Sequence, residues 1–206
     1  MPFELQSHFG IESLYAGLAL EGIAHTATIL RTLQHRDIFD YHTIHRAANL
    51  GFGRGAELWA LQQLGVPEIV GIDNNSMGGW GTRRDQILAK TPNASIIIDT
   101  IAHWIEALSD EQFDLILTRQ APPGFWGDVN WDKVADCLSA SGICIFDGDD
   151  DPSDHGFTNK LSLTWFSPDF EIPLPSEVQD ITNGTYTIYQ ARTDMQQRKV
   201  QLARHT

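Results

Sequence analysis

The chain has 206 residues, enough for one domain with a substantial core. Apolar residues make up 42%, which excludes a disordered chain. A formal net charge of −13 leaves few cations to neutralise phosphates, so composition points away from nucleic acid as a partner; a small-molecule substrate is favoured over a protein.

The N-terminus, MPFELQSHFG, has no basic segment ahead of an apolar run, so no targeting segment is expected. Ile11, Leu14, Tyr15 and Leu18 fall at helical spacing, and Ile23, Ile29, Leu30 and Leu33 continue it less regularly. Residues 10–35 therefore read as one or two amphipathic helices. Glu12, Glu21, His25 and Arg31 interrupt this segment, whereas a membrane span needs about 20 largely apolar residues. A cytoplasmic protein without membrane contact is expected. Residues 1–40 form an N-terminal helical cap, packed on the sheet or acting as a lid, on a single domain spanning 1–206. Oligomeric state is not encoded in any pattern of the sequence.

A strand over Thr43–Leu50 leads into Gly51-Phe52-Gly53-Arg54-Gly55 and a helix over Ala56–Leu64, closed by Gly65 and Pro67. Glu68–Asp73 is apolar on both faces, as a central parallel strand should be. The glycine-rich stretch Ser76–Gly81 precedes a helix near Thr82–Lys90. Ser95–Ile98 is a strand ending at Asp99, and Ile101–Leu108 is a helix. Phe113–Thr118 is a strand, followed by a loop over Arg119–Asp128. Trp131–Ser139 is a helix and Gly142–Asp147 a strand. Thr158–Phe166 reads as a short helix and Glu171–Ile181 as an edge strand. Thr185–Arg192 reads as a closing strand, introduced by the Asn183-Gly184 turn signal. The basic tail residues Arg192, Arg198, Lys199 and Arg204 read as a solvated helix end. Cys137 and Cys144 read as buried apolar residues. This alternation is that of an α/β sandwich.

Three features converge at the carboxyl ends of neighbouring strands, where open α/β sheets bind ligands. Gly51, Gly53 and Gly55 allow backbone to touch a ligand ahead of a helix N-terminus. Asp73 follows Gly51 by 22 residues, the separation of a carboxylate that accepts from ribose hydroxyls. Asp99 closes the next strand. The loop also satisfies the dinucleotide pattern G-x-G-x-x-[GA], so by itself it does not separate a nicotinamide cofactor from S-adenosylmethionine.

Asn49–Gly55, Val70–Asp73, Ile98–Thr100, Phe113–Leu117 and Ser141–Asp147, in that order, resemble the class I S-adenosylmethionine-dependent methyltransferase family over about residues 43–192. The resemblance implies a three-layer Rossmann-like sandwich. Its mostly parallel seven-stranded sheet has the order 3-2-1-4-5-7-6, with the last strand antiparallel. It implies S-adenosylmethionine as cofactor and an enzyme that transfers its methyl group. Asn49, Gly51, Phe52, Gly53 and Gly55 would lie at the methionine part, Asp73 at the ribose, and Asp99 and Thr100 at the adenine, with Asn74 also among the cofactor-binding residues. Arg119 and Gln120 would lie near the methyl group. Asn49 departs from the family's usual Asp or Glu and lacks the charge. The loop Arg119–Trp126 has Pro-Pro followed by aromatics, in the wrong register for the Asn-Pro-Pro-Tyr loop of amide and base methylases.

A base is required only for a protonated nucleophile, and His155 and Asp147, after the fifth strand, are candidates beside Arg119. The acidic run Asp147–Asp154 reads as a solvated loop, and no metal is expected. Trp80, Phe125 and Trp126 read either as pocket walls or as satellite core. His103 and Trp104 read either as plain core or as packing against the adenine side. Two rivals stand: an NAD(P)-dependent oxidoreductase, and a non-catalytic binding protein of the same fold.

Overall fold

The computed structural model describes residues 13–53, 55–74, 89, 91–109, 112–119, 129–147, 160–182 and 200–206. A seven-stranded sheet forms its centre. The strands are β1 (Arg46–Leu50), β2 (Glu68–Asp73), β3 (Ala94–Ile98), β4 (Phe113–Arg119), β5 (Leu138–Asp147), β6 (Leu161–Phe166) and β7 (Val200–His205). Their order is β3-β2-β1-β4-β5-β7-β6. The first five run parallel, and β7 inserts antiparallel between β5 and β6. This is the arrangement implied by the resemblance.

The helices are α1 (Ser13–His35), α2 (Ala56–Gln63), α3 (Ile101–Ala107), α4 (Trp131–Asp136) and α5 (Ser176–Thr182). They divide the core into two layers. On one face, Leu50, Ile72 and Ile116 pack with Trp104 and Ile105 of α3 and Trp131 and Val134 of α4. On the other, Ala47, Ile69 and Leu115 pack with Leu30 and Leu33 of α1 and Leu58 and Leu61 of α2. Each fully buried large apolar side chain contributes about 1.5–3 kcal/mol.

Helix α1 is buried on every side from Gly22 to Leu30. Its Thr26, Thr28 and Thr32 hydroxyls donate to the carbonyls of Gly22, Ala24 and Thr28, which removes the cost of burying them. The segment between β6 and α5 straps across it. Asp169 N–H donates to Thr32 Oγ1 at 2.7 Å, and Phe170 stacks on His25. No helix among the described residues is long and apolar enough to cross a membrane.

Several expectations are corrected. Residues 161–166 form a strand, not a helix: Leu-Ser-Leu-Thr-Trp-Phe alternates, and β7 supplies its ladder. The edge strand expected over Glu171–Ile181 is absent among the described residues. Pro173 and Pro175 lack ladder donors, and the chain instead enters α5, whose Val178 and Gln179 N–H groups donate to Pro175 O. The closing strand is Val200–His205, whereas the one expected over Thr185–Arg192 lies outside the described residues. Arg204 is accordingly a half-buried strand residue whose guanidinium donates to Ile38 O, not part of a solvated helix end. The first strand begins at Arg46, after a 3-10 turn at Tyr41–Thr43. Helix α4 stops at Asp136 because β5 begins at Leu138. Of the helix expected over Thr82–Lys90, Ala89 is described and is helical; the Ser76–Gly81 loop lies outside the described residues.

At the amino edge of the sheet, β5 carries a large bulge. Phe113 pairs with Leu138 but Leu115 with Ile143, so two steps along β4 match five along β5. Asp114 ties this edge together. Its Oδ1 accepts from Ser139 Oγ at 2.9 Å, and its Oδ2 from the N–H groups of His45 and Arg46 at 2.9 and 3.1 Å. Burial acts to raise the Asp114 pKa. The hydrogen bonds from His45 N–H, Ser139 and Arg46 N–H, with the charge of His45, outweigh it and hold the carboxyl below its ordinary value. Cys137 and Cys144 are buried, as expected, and burial pushes the Cys144 thiol up.

Candidate functional site

The sheet brings the predicted residues to one edge. In spatial order the carboxyl ends carry Asp99 after β3, Asp73 on β2, the glycine loop after β1, Arg119 on β4 and Asp147 on β5. Leu50 is level with Ile72 and Thr118, Asp73 with Ile98, and Arg119 with Asp147.

The loop is closed by short backbone bonds. Gly51 and Phe52 N–H groups donate to Ile72 O at 2.7 and 3.3 Å, and Gly55 N–H to Phe52 O at 2.8 Å. Gly51, Gly53 and Gly55 take φ of 76°, 49° and 78°, a left-handed backbone that a side chain would strain. Gly53 N–H donates to Asp73 Oδ2 at 2.9 Å, so loop and acid form one unit. Gly55 caps α2 without a side-chain hydrogen bond.

Phe52 departs from its expected place. Its side chain is buried in the core, against the α-carbon side of Gly71, where a Cβ would meet Phe52 Cδ1 and Leu58 Cδ1 at 3.0 Å each. Its role at the loop therefore falls to its backbone. Gly71 is thus a close-approach glycine that the sequence reading passed over.

Asn49 sits in the middle of the sheet, level with Gly71 and Leu117, and is fully buried. Neither its Nδ2 nor its Oδ1 has a hydrogen-bond partner among the described residues. An unsatisfied buried polar group costs about 1–3 kcal/mol. The amide lies two residues before Gly51 and is closed off from solvent, so its donor and acceptor would suit a polar amino-acid end only where the loop opens to admit it. Gly51, Gly53 and Asp73 fit a ribose passing beside them.

Asp99 N–H donates to Asp73 O at 3.2 Å, which sets the two acids side by side. Asp99 Oδ1 accepts from Thr100 N–H at 2.7 Å, and Asp99 Oδ2 lies 2.5 Å from His103 Nδ1. Thr100 caps α3 through His103 N–H at 3.2 Å. The His103 hydrogen bond is the main cause of an Asp99 carboxyl held below its ordinary value; desolvation opposes it, and Thr100 N–H and the His103 charge add to it. The Asp99–His103 pair was not anticipated, though its signal is legible: an acid and a histidine four apart, on either side of a Thr cap. Trp104, by contrast, is core, packed on Phe113.

Asn74 follows Asp73 directly at the end of β2. Arg119 and Asp147 are placed by their backbones, at paired positions beyond the loop from Asp73. Gln120, His155, Trp80, Phe125 and Trp126 lie outside the described residues. Among the described residues, no group of three or more His, Cys, Asp or Glu side chains is placed to share a metal ion.

No protein-family model matches the chain, and no curated protein matches it in sequence. Solved structures do match. The plantazolicin methyltransferase BpumL, in complex with SAH, superposes with a TM-score of 0.54 at 11% identity, covering 98% of this chain and 94% of that one. BpumL bound to a monoazolic desmethylPZN analogue and SAH gives 0.52. A ribosomal protein L11 methylase from Lactobacillus delbrueckii subsp. bulgaricus gives 0.53 at 14% identity, covering 89% and 77%. An rRNA methylase from Streptococcus thermophilus gives 0.50 at 12% identity, covering 78% and 86%.

These neighbours correct the exclusion of nucleic acid. The same fold occurs in an rRNA methylase and in a ribosomal-protein methylase, so net charge does not decide the partner. The physical reason is that total charge sums over the whole surface, whereas an acceptor is met by the local loops at one sheet edge. What the chain shares with these neighbours is the fold of the class I S-adenosylmethionine-dependent methyltransferases.

Proposed function

We propose that the protein binds S-adenosylmethionine across the carboxyl edge of its sheet and transfers the methyl group to a small organic nucleophile. The observation that carries this reading is the coupled loop and acid, with Gly53 N–H on Asp73 Oδ2 at 2.9 Å beneath three left-handed glycines. Supporting it, the orphaned Asn49 amide suits the amino-acid end of such a cofactor. The antiparallel β7 between β5 and β6 favours this reading over a dinucleotide oxidoreductase. The small organic acceptor is supported by the near full-length likeness to BpumL, which was solved with a small azole-bearing compound.

When bound, the cofactor would supply a methyl group on a positively charged sulfur. Asn49 and the glycine loop would hold the amino-acid end, Asp73 and Asn74 the ribose, and Asp99 and Thr100 the base. Arg119 and Asp147 stand on the β4–β5 side of the loop, where the acceptor would approach. Holding the nucleophile in line supplies several kcal/mol, up to about 7–11 in good intramolecular cases. Asp147 and His155 are the candidates to take a proton from a protonated nucleophile.

Asn49 also favours a second reading, a binding protein without turnover, because it lacks the charge of a carboxylate. Incubation with S-adenosylmethionine and a panel of small nucleophiles, with SAH release followed by mass spectrometry, separates the two. The methyltransferase reading predicts acceptor-dependent release that Asp73→Ala abolishes. Binding without release on any acceptor would support the second reading.

A further inference from the structure

On the adenosyl reading above, a ribose at Asp73 would direct the base towards Asp99, at the end of the neighbouring strand β3 about 4.8 Å away. The outer edge of adenine carries an exocyclic amine, a donor, and an ionised carboxylate is an acceptor only. A half-buried carboxylate with two rotatable bonds can turn away unless it is held ready for that task.

His103 supplies that hold. Asp99 has two in-protein holds, one per oxygen: Thr100 N–H on Oδ1 at 2.7 Å and His103 Nδ1 at 2.5 Å from Oδ2. The first is a backbone bond to the next residue, which leaves the carboxylate plane free to swing. The second fixes that plane from the first turn of α3, and α3 is anchored in the core by Ile101, Trp104 and Ile105. His103 itself is three-quarters exposed, so core packing is not its task. Each carboxylate oxygen keeps a second acceptor site after these bonds.

We propose that His103 is a positioning residue that sets base selectivity at the adenosyl site by locking Asp99 as an acceptor for the exocyclic amine. The inference rests on the adenosyl reading above. It predicts that the site distinguishes adenine from hypoxanthine, which presents a carbonyl acceptor at the same position. Two acceptors would then face each other with no proton between them, and unpaired acceptors are penalised. The lowered Asp99 pKa is consistent, since the carboxyl stays ionised across the neutral range.

The test is calorimetric titration of the full chain with SAH and with its deaminated analogue, S-inosylhomocysteine. Three proteins are compared: wild type, His103→Phe and His103→Asn. The Asn amide nitrogen can stand near the position of Nδ1 and restore the donor, whereas Phe cannot. His103→Phe should weaken SAH binding about three- to tenfold, within the range for a hydrogen bond to a charged group at a partly exposed site. It should leave the inosyl analogue unchanged or slightly improved, and His103→Asn should recover wild-type selectivity. Because the side chain is exposed, all three should fold, and their melting temperatures check this. Equal weakening of both ligands would reduce His103 to a structural role and overturn the proposal. Unchanged selectivity in His103→Phe would overturn it as well. If wild type binds neither ligand, the adenosyl reading fails first and this inference fails with it.

Discussion

Asn49 separates stability from binding at a single position. Its amide is fully buried and unpaired among the described residues, so it destabilises the free protein. Asn49→Val, close in volume and suited to a strand, should raise the free protein's stability by about 1–3 kcal/mol, the cost of the orphaned groups. The same change should reduce the stabilisation gained from SAH. Paired denaturation curves with and without SAH check both signs, and a loss of stability in the free protein would mean that the amide has a partner within the fold. Asp73 and the three glycines were legible in the sequence because spacing and residue type express them directly. The inward turn of Phe52 was not, since nothing in Gly-Phe-Gly says which way the aromatic ring goes until Gly71 opens a space for it.

Gly71 and the β5 bulge show how whole elements hold that edge in place. A methyl group at Gly71 would press on Leu58, Phe52 and Ile96 at 3.0–3.1 Å. Gly71→Ala should therefore cost about 1–3 kcal/mol by overpacking, read from the urea midpoint, and should also weaken SAH binding because Phe52 lies directly under the loop. At the opposite edge, the Asp114 carboxyl is held below its ordinary value, so it binds fewer protons folded than unfolded. Its contribution is complete above the unfolded value, about pH 4, and is lost as pH falls through the lower folded value. Stability measured from pH 6 downwards should fall more steeply in wild type than in Asp114→Asn, while Asp114→Asn should be the less stable protein at pH 7. Equal acid slopes would contradict this. Strands β1 to β5 were legible from apolar runs and turn residues. The elements beyond β5 were not: Leu161–Phe166 is a strand because β7 pairs with it, and that partner is some 35 residues downstream. In Glu171–Ile181, apolar residues suggested a strand, but Pro173 and Pro175 fix a strap and the start of α5.

At the scale of the molecule, the order β3-β2-β1-β4-β5-β7-β6 divides the carboxyl edge into two halves about the glycine loop. Asp73 and Asp99 lie on one side and Arg119 and Asp147 on the other, which on the proposed function would let one ligand be gripped at one end and react at the other. Sequence patterning reached the placement of the loop and acids at neighbouring strand ends. It did not reach the acceptor, since net charge describes the entire surface and the acceptor is chosen by local loops. Ligand linkage makes the grip measurable in the whole protein. At 100 times its dissociation constant, a ligand specific for the folded state adds about 2.7 kcal/mol, a clear rise in melting temperature. The most direct measurement is calorimetric titration of wild type and Asp73→Ala with SAH, with NADH as the control. The account predicts saturable binding of SAH by wild type, a loss of about 1.5–3 kcal/mol in Asp73→Ala, and no heat from NADH. Binding of NADH in place of SAH, or equal SAH affinity in the two proteins, would contradict it.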